Sequence, residues 1–148
     1  LDRDTFGVVL LAKNSHIHAL LSAQGFQKEY RALVKGGPKA DSGIIDAPIA
    51  RLPLPSLLRH VHPDGKPSIT EFKVLKRMED QCLLSLIPVT GRTHQLRVHC
   101  SYMGFPILGD PQYGTPDNYP YQQLLAYKLT LTHPVTKEHL ELTSKIAL

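Results

Sequence analysis

Between Gly91 and Gly114 the chain reads Gly-Arg-Thr-His-Gln-Leu-Arg-Val-His, passes through Cys100 to Met103, and continues Gly-Phe-Pro-Ile-Leu-Gly-Asp-Pro-Gln-Tyr-Gly. This combination leaves room for one short helix and one tight loop. Thr93 is a good N-cap, Gly104 stops the helix, and Pro106 lies just beyond it. Leu96, Cys100 and Met103 fall on one face. Arg92 and Arg97 are separated by roughly 140° around a helix, so they do not share a face. Arg92 lies before the helix and Arg97 in its first turns. Such an arginine is usually a solvated charge, but beside a helix N-terminus it is also well placed to hold a carboxylate or phosphate.

The remaining pattern is mostly of strands. Gly7 to Lys13 is a continuous apolar run and predicts a strand buried on both faces. Asn14 or Ser15 then caps a helix carrying Ile17, Leu20 and Leu21, which Gly25 ends. Glu29 to Val34 alternates, with Tyr30, Ala32 and Val34 on one strand face. Residues 35–68 are rich in Gly, Pro and Ser and predict mostly loop, with Ile44-Ile45 pairing briefly in a sheet. Ile69–Lys76 and Cys82–Ile87 predict a hairpin turning through Met78–Gln81. Ala126–Thr132 and His139–Thr143 predict another, turning through His133–Thr136. Strand, helix, strand, hairpin, helix, hairpin is the order of a single α+β domain over residues 1–148, with a mixed, mostly antiparallel sheet and few helices.

The net charge of +4 and the pI of about 9.1 suit a polyanion such as nucleic acid, although many basic proteins bind none. No apolar run approaches the length of a membrane span, and the N-terminus lacks a signal-peptide pattern. Cys82 and Cys100 do not make a disulfide framework. Their apolar surroundings predict buried, reduced thiols and a cytoplasm-like compartment.

Several groups of residues could carry chemistry. Asp2 and Asp4 share a face if extended and could do acid–base work, though two aspartates near a chain end usually do nothing. His16 with His18, His60 with His62 and His94 with His99 invite a metal reading. Yet His94 and His99 miss the helical spacing of paired ligands, and no Cys or carboxylate cluster accompanies the others. Nucleotide-binding glycine motifs and a nucleophile elbow are absent. Tyr30 is either ordinary core packing or a platform that stacks on a base.

Taken together, the motifs resemble the RluA family of RNA pseudouridine synthases. Leu1-Asp2-Arg3-Asp4-Thr5-Phe6-Gly7 looks like the family's Arg-Leu-Asp-x-x-Thr-x-Gly. Lys28-Glu29-Tyr30 matches its Lys-x-Tyr, Thr90–His99 its Thr-Gly-Arg-x-His-Gln-Leu-Arg-Val-His, and Pro106–Gly114 its Pro-Ile-Leu-Gly-Asp-x-x-Tyr-Gly. Ala126–Leu129 and His133-Pro134 also fit. Phe6 stands where serine is usual, Leu125 where histidine is common, and the link before Lys28 is shorter than the family's. The arginine that precedes Leu1 in the family is missing. The resemblance thus implies a catalytic domain lacking its first part and any upstream S4-type domain.

It implies the pseudouridine synthase fold and the isomerisation of uridines in structured rRNA or tRNA, without metal, organic cofactor, membrane or obligate protein partner. Asp2 takes the place of the catalytic aspartate, acting on the ribose as base or nucleophile. Arg97 resembles the arginine that pairs with it. Tyr30 would stack on the uracil and help remove the C5 proton. Arg3, Arg92 and Lys128 are expected to contact phosphates, with His94 and Gln95 as further RNA contacts. Rival readings are a catalytically inactive RNA-binding module of the same fold and a metal-dependent hydrolase. The intact Asp2, Tyr30 and Arg97 speak against the first and the histidine spacing against the second.

Overall fold

The alternation of Tyr30, Ala32 and Val34 builds the centre of the protein. The computed structural model describes residues 1–148, and in it Ala32 and Val34 on β2 (Gln27–Lys35) are fully buried. β2 runs antiparallel to β7 (Gln81–Pro88) on one side and to β8 (Leu124–Thr132) on the other. Beyond β7 the seven-stranded sheet continues through β6 (Ile69–Arg77) and β3 (Ser42–Asp46), again antiparallel. The outer edge of β8 is shared. β9 (His139–Thr143) pairs antiparallel with Lys128–Thr132, and β1 (Phe6–Gly7) pairs parallel with Leu125–Ala126. With α1 (Ser15–Gln24) and α2 (Gln95–Tyr102), this is the expected α+β class.

Two apolar clusters hold the sheet and helices together. The larger joins Ala32, Val34, Leu84 and Leu86 of the sheet to Leu96 and Cys100 of α2. The smaller packs Leu21 of α1 on Leu129 and Leu131. Asn14 caps α1 by accepting the Ile17 N–H at 2.9 Å, and Gly25 ends it. Both cysteines are free and buried, and burial pushes the Cys100 thiol up to about 12.

Four expectations need correction. Gly7–Lys13 is not a strand buried on both faces. Only Phe6 and Gly7 pair, and Val9 and Leu11 are exposed while Val8, Leu10 and Ala12 pack against the smaller cluster. Gly7 is where the chain closes on β8: at φ +120° a Cβ there would lie 2.2 Å from the Ala126 carbonyl oxygen. Residues 35–68 hold more sheet than predicted, since β3 has five residues and β4 (Ile49–Arg51) pairs with β5 (Arg59–Val61) as a separate ribbon. Thr93 does not cap α2. The Gln95 N–H donates to the Arg92 carbonyl at 3.1 Å, a tight turn that leaves Thr93 exposed and puts His94 at the cap with φ 57°. Met103 is exposed, because the helix has ended by Tyr102.

Candidate active site

α2 is buried almost all round. It meets β6 and β7 of the main sheet as well as β5 of the ribbon, so Gln95, Arg97 and His99 are buried with its apolar residues. A buried guanidinium must find its partners inside the protein. Arg97 donates from Nε to Asp110 Oδ2 at 2.9 Å and from Nη2 to Asp110 Oδ1 at 2.8 Å, a two-pronged pair. Nη2 also donates to Gln112 Oε1 at 2.8 Å. Nη1 reaches Asp2 Oδ2 at 3.4 Å. The Arg97 and Asp110 side chains are only 3% and 0% exposed, against 27% for Asp2. Arg97 therefore has a buried anchor in Asp110 and a looser, pocket-facing contact with Asp2.

The electrostatics agree. Burial alone would lower Arg97, but the bonds to Asp110 and the charge of Asp2 more than reverse it. Burial alone would raise Asp110. Arg97 and the backbone N–H groups of Gln112 and Tyr113, at 3.0 and 3.1 Å, instead hold its carboxyl below the usual range. The Gly109–Asp110 turn needs its glycine: Gly109 sits at φ +75°, and a Cβ would lie 2.1 Å from the Tyr121 carbonyl oxygen.

Asp2 is tied down from its downstream side. Its carbonyl accepts the Thr5 N–H at 3.1 Å, closing a turn in which Asp4 takes φ 69°. The Thr5 hydroxyl accepts from buried Gln122. These contacts and Arg97 set the Asp2 carboxylate at a pocket of about 530 Å³ whose wall includes Lys28, Tyr30, Arg92 and His94. That volume is of the size that encloses a small organic ligand. Tyr30 enters where β8 bulges against β2, between Glu29 and Tyr30. Burial, reinforced by the charge of Asp2, raises its phenol and keeps it neutral, and its hydroxyl has no partner within the protein. Burial lowers the Lys28 ammonium in the same pocket.

A buried hydrogen-bond chain supports the wall. Gln95 Oε1 accepts from the Thr90 hydroxyl at 2.7 Å and the Arg92 N–H at 3.0 Å, while Nε2 donates to the Ile69 carbonyl at 2.9 Å and the Thr70 hydroxyl at 3.0 Å. Thr70 lies 2.8 Å from His99 Nδ1, and His99 Nε2 is 2.9 Å from the Ala47 carbonyl. A neutral ring with its proton on Nε2 satisfies both contacts. His94 meets the Tyr113 hydroxyl through Nδ1 at 2.6 Å, and that oxygen accepts the Arg59 N–H at 2.9 Å. Burial lowers His94, with Arg97 and Arg59 acting in the same direction against Asp2 and Asp110, so it too stays neutral near pH 7.

The family described as RNA pseudouridylate synthase matches residues 1–102. The chain belongs to that family. Ribosomal large subunit pseudouridine synthase C of Vibrio vulnificus is 38% identical over 156 aligned residues, covering 97% of this chain and 49% of the relative. The uncharacterized RNA pseudouridine synthase YlyB of Bacillus subtilis is 42% identical, covering 95% and 48%. Among solved structures, human RNA pseudouridylate synthase domain containing 1 superposes with a TM-score of 0.85 at 28% identity, covering 99% of this chain and 66% of that one. The chain spans about half the length of the curated relatives it matches.

Within this pseudouridylate synthase fold, the residues expected at the site separate into two groups. Asp2, Tyr30, Arg92, His94, Gln95 and Arg97 converge on the pocket. Arg3 and Lys128 do not. Arg3 pairs with neighbouring Asp4 at 3.2 Å and Lys128 with Glu141 at 3.0 Å. Gln95 lines the pocket but is 4% exposed, with all four amide bonds taken inside the protein. Asp110, Gln112 and Tyr113 were not singled out from the sequence. The signal was present in the Gly-Asp-x-x-Tyr-Gly loop, but only the fold brings that loop onto Arg97.

Proposed function

We propose that this protein is the catalytic domain of an RNA pseudouridine synthase acting on uridines in structured RNA, rRNA or tRNA. The observation that carries the reading is the Asp2 carboxylate, held at a pocket by a buried arginine and faced by an unpartnered tyrosine. In the reaction the N1–C1′ bond breaks and a C5–C1′ bond forms. The C5 proton is lost and N1 gains one. Nothing is oxidised and no group is added, so the reading calls for no cofactor. Asp2 acts on the ribose, as base or nucleophile. Asp110 and Gln112 fix Arg97, and Arg97 fixes the Asp2 rotamer. Tyr30 offers a ring face to the uracil and a neutral hydroxyl to its edge. The target nucleotide must leave its stack to reach Asp2, at a cost of a few kcal/mol.

RNA is the partner this reading requires. Names of relatives that act on the ribosomal large subunit favour rRNA, and the two free, buried thiols fit a reducing cytoplasm. No helix is long and apolar enough to cross a membrane. An inactive RNA-binding module is the rival, and tritium release from C5-labelled RNA by the wild-type protein separates the two, while one substitution tests Asp2. Asp2→Asn keeps size and hydrogen bonding but removes the base. The variant should bind RNA like the wild type yet release no tritium from RNA labelled at uridine C5. Wild-type release from the variant would refute the role of Asp2.

A further inference from the structure

We propose that the pocket between the β4–β5 ribbon and the Gly91–Thr93 segment binds an RNA phosphodiester, seating the backbone beside the nucleotide held over Asp2. The inference rests on the pseudouridine synthase reading and adds Arg51, Arg59 and Lys66, which neither the motifs nor the catalytic cleft identify. The pocket is about 500 Å³ and is lined by Arg51, Arg59, Lys66 and Arg92, with Asp64 as its acidic residue.

Charge pairing sets these cations apart. Arg3, Arg77 and Arg97 each meet a carboxylate, and Arg31 lies 3.6 Å from the centre of the Tyr127 ring. Arg51, Arg59 and Arg92 meet neither carboxylate nor ring, and all of them line this pocket. Arg59 Nη1 donates to the Leu57 carbonyl at 2.8 Å, and Arg92 Nε donates to the Pro67 carbonyl at 2.9 Å. Neutral carbonyls aim the guanidinium groups without cancelling their charge. Asp64 does not cancel it either, since its side chain is 91% exposed and its ion-pair contact is with His62 at 3.8 Å.

The register supplies a second, independent observation. Arg51 and Arg59 are direct partners across the ribbon. Like charges directly opposite each other destabilise a strand pair, and an anion between them removes that cost. Arginine's planar fork suits phosphate oxygens. Gly91, Arg92 and Thr93 line both this pocket and the Asp2 pocket, so a strand crossing that wall places sugar on one side and phosphate on the other. The Arg59 N–H also joins the ribbon to the catalytic cleft through Tyr113 and His94.

The test uses the full protein carrying Arg51→Gln with Lys66→Gln. Both residues are exposed, and an unchanged thermal midpoint confirms the fold. Binding of a fluorescein-labelled RNA stem-loop is followed by anisotropy from 50 to 200 mM salt. Losing one phosphate contact lowers the slope of log K against log salt by about 0.7–0.9, so the double variant should lose about that much. Repeating the titration in the Asp2→Asn background reads the slope whether or not uridine is isomerised, so this proposal and the catalytic one can fail separately. An unchanged slope overturns the phosphate site. A fall in turnover without a change in slope does the same. So does a site for free anion only, in which inorganic phosphate raises the wild-type thermal midpoint but not the variant's while the RNA slope is unaltered.

Discussion

Replacing Asp110 by Asn removes one charge from the centre of the site and changes little else. The Asn Oδ1 can still accept the Gln112 and Tyr113 N–H groups, but its NH2 would face the Nε–H of Arg97, which now finds an acceptor at 2.9 Å. Arg97, 3% exposed, would keep only the 3.4 Å contact to Asp2 as an ion pair. Breaking a buried ion pair by neutralising one partner costs about 3–5 kcal/mol. For a domain of this size each kcal/mol moves the thermal midpoint by about 2–4 °C, giving a drop of roughly 6–20 °C.

The acid dependence provides the signature. The Asp110 carboxyl is depressed in the folded protein, so its contribution is complete above the ordinary value of 3.8 and fades as pH falls below it. The gap between wild type and variant should therefore be widest near neutrality and narrow below pH 3.8. Calorimetry at neutral and acid pH measures the gap. Tritium release from C5-labelled RNA, at a temperature where both proteins are folded, should fall about a hundredfold, because a displacement of about 1 Å at a reacting group costs that much. A variant as stable as wild type, or a gap that does not narrow in acid, would refute the idea that Asp110 anchors Arg97.

Three further outcomes follow from the same geometry. Arg97→Lys keeps the charge but cannot span Asp110, Gln112 and Asp2 together, so C5 tritium release should drop at least tenfold while RNA affinity changes little; unimpaired release would show that the fork is dispensable. His94 and His99 are both depressed below 6.5, so stability is full above that pH and declines as pH falls through it. Urea midpoints at pH 7.5 and 5.5 should show the decline, and a flat profile would contradict it. Gly7→Ala should cost more than about 1 kcal/mol, and more than Gly25→Ala, because a Cβ at Gly25 meets nothing within 4 Å whereas one at Gly7 meets β8 backbone. Equal denaturation midpoints would refute the clash.

The sequence was legible where a local rule and the tertiary setting point the same way. Asn14, Gly25 and the two hairpin turns are such places, as is the Tyr30–Ala32–Val34 alternation. It misled where a neighbour overrides the local preference. Thr93 is a good cap by type, but the Gln95 side chain draws the Arg92 backbone into a turn first. Val8 to Ala12 is apolar enough for a central strand, yet β9 occupies the rest of that β8 edge. The short β4 and β5 strands carry too few residues to show a period, so the ribbon and its arginine pair were invisible. Asp2, Tyr30 and Arg97 could be named from motifs, while the Asp110 anchor depends on a contact between a helix and the loop that follows it.

The placement of Arg97 also leaves a local negative pole at the Asp2 carboxylate. Two carboxylates, Asp2 and Asp110, share one guanidinium, so this cluster keeps one negative charge in surplus, set among the Lys28 and Arg92 cations of the same pocket wall. Across the Gly91–Thr93 wall, Arg51, Arg59, Lys66 and Arg92 leave a surplus of positive charge against Asp64. A nucleotide is itself polar in the opposite sense, with an anionic phosphate at one end and, during glycosidic cleavage, an electron-poor C1′ at the other. The Asp2 carboxylate and the cations beyond the wall thus meet opposite ends of the nucleotide, which favours one orientation of the chain over the reverse before any base is read.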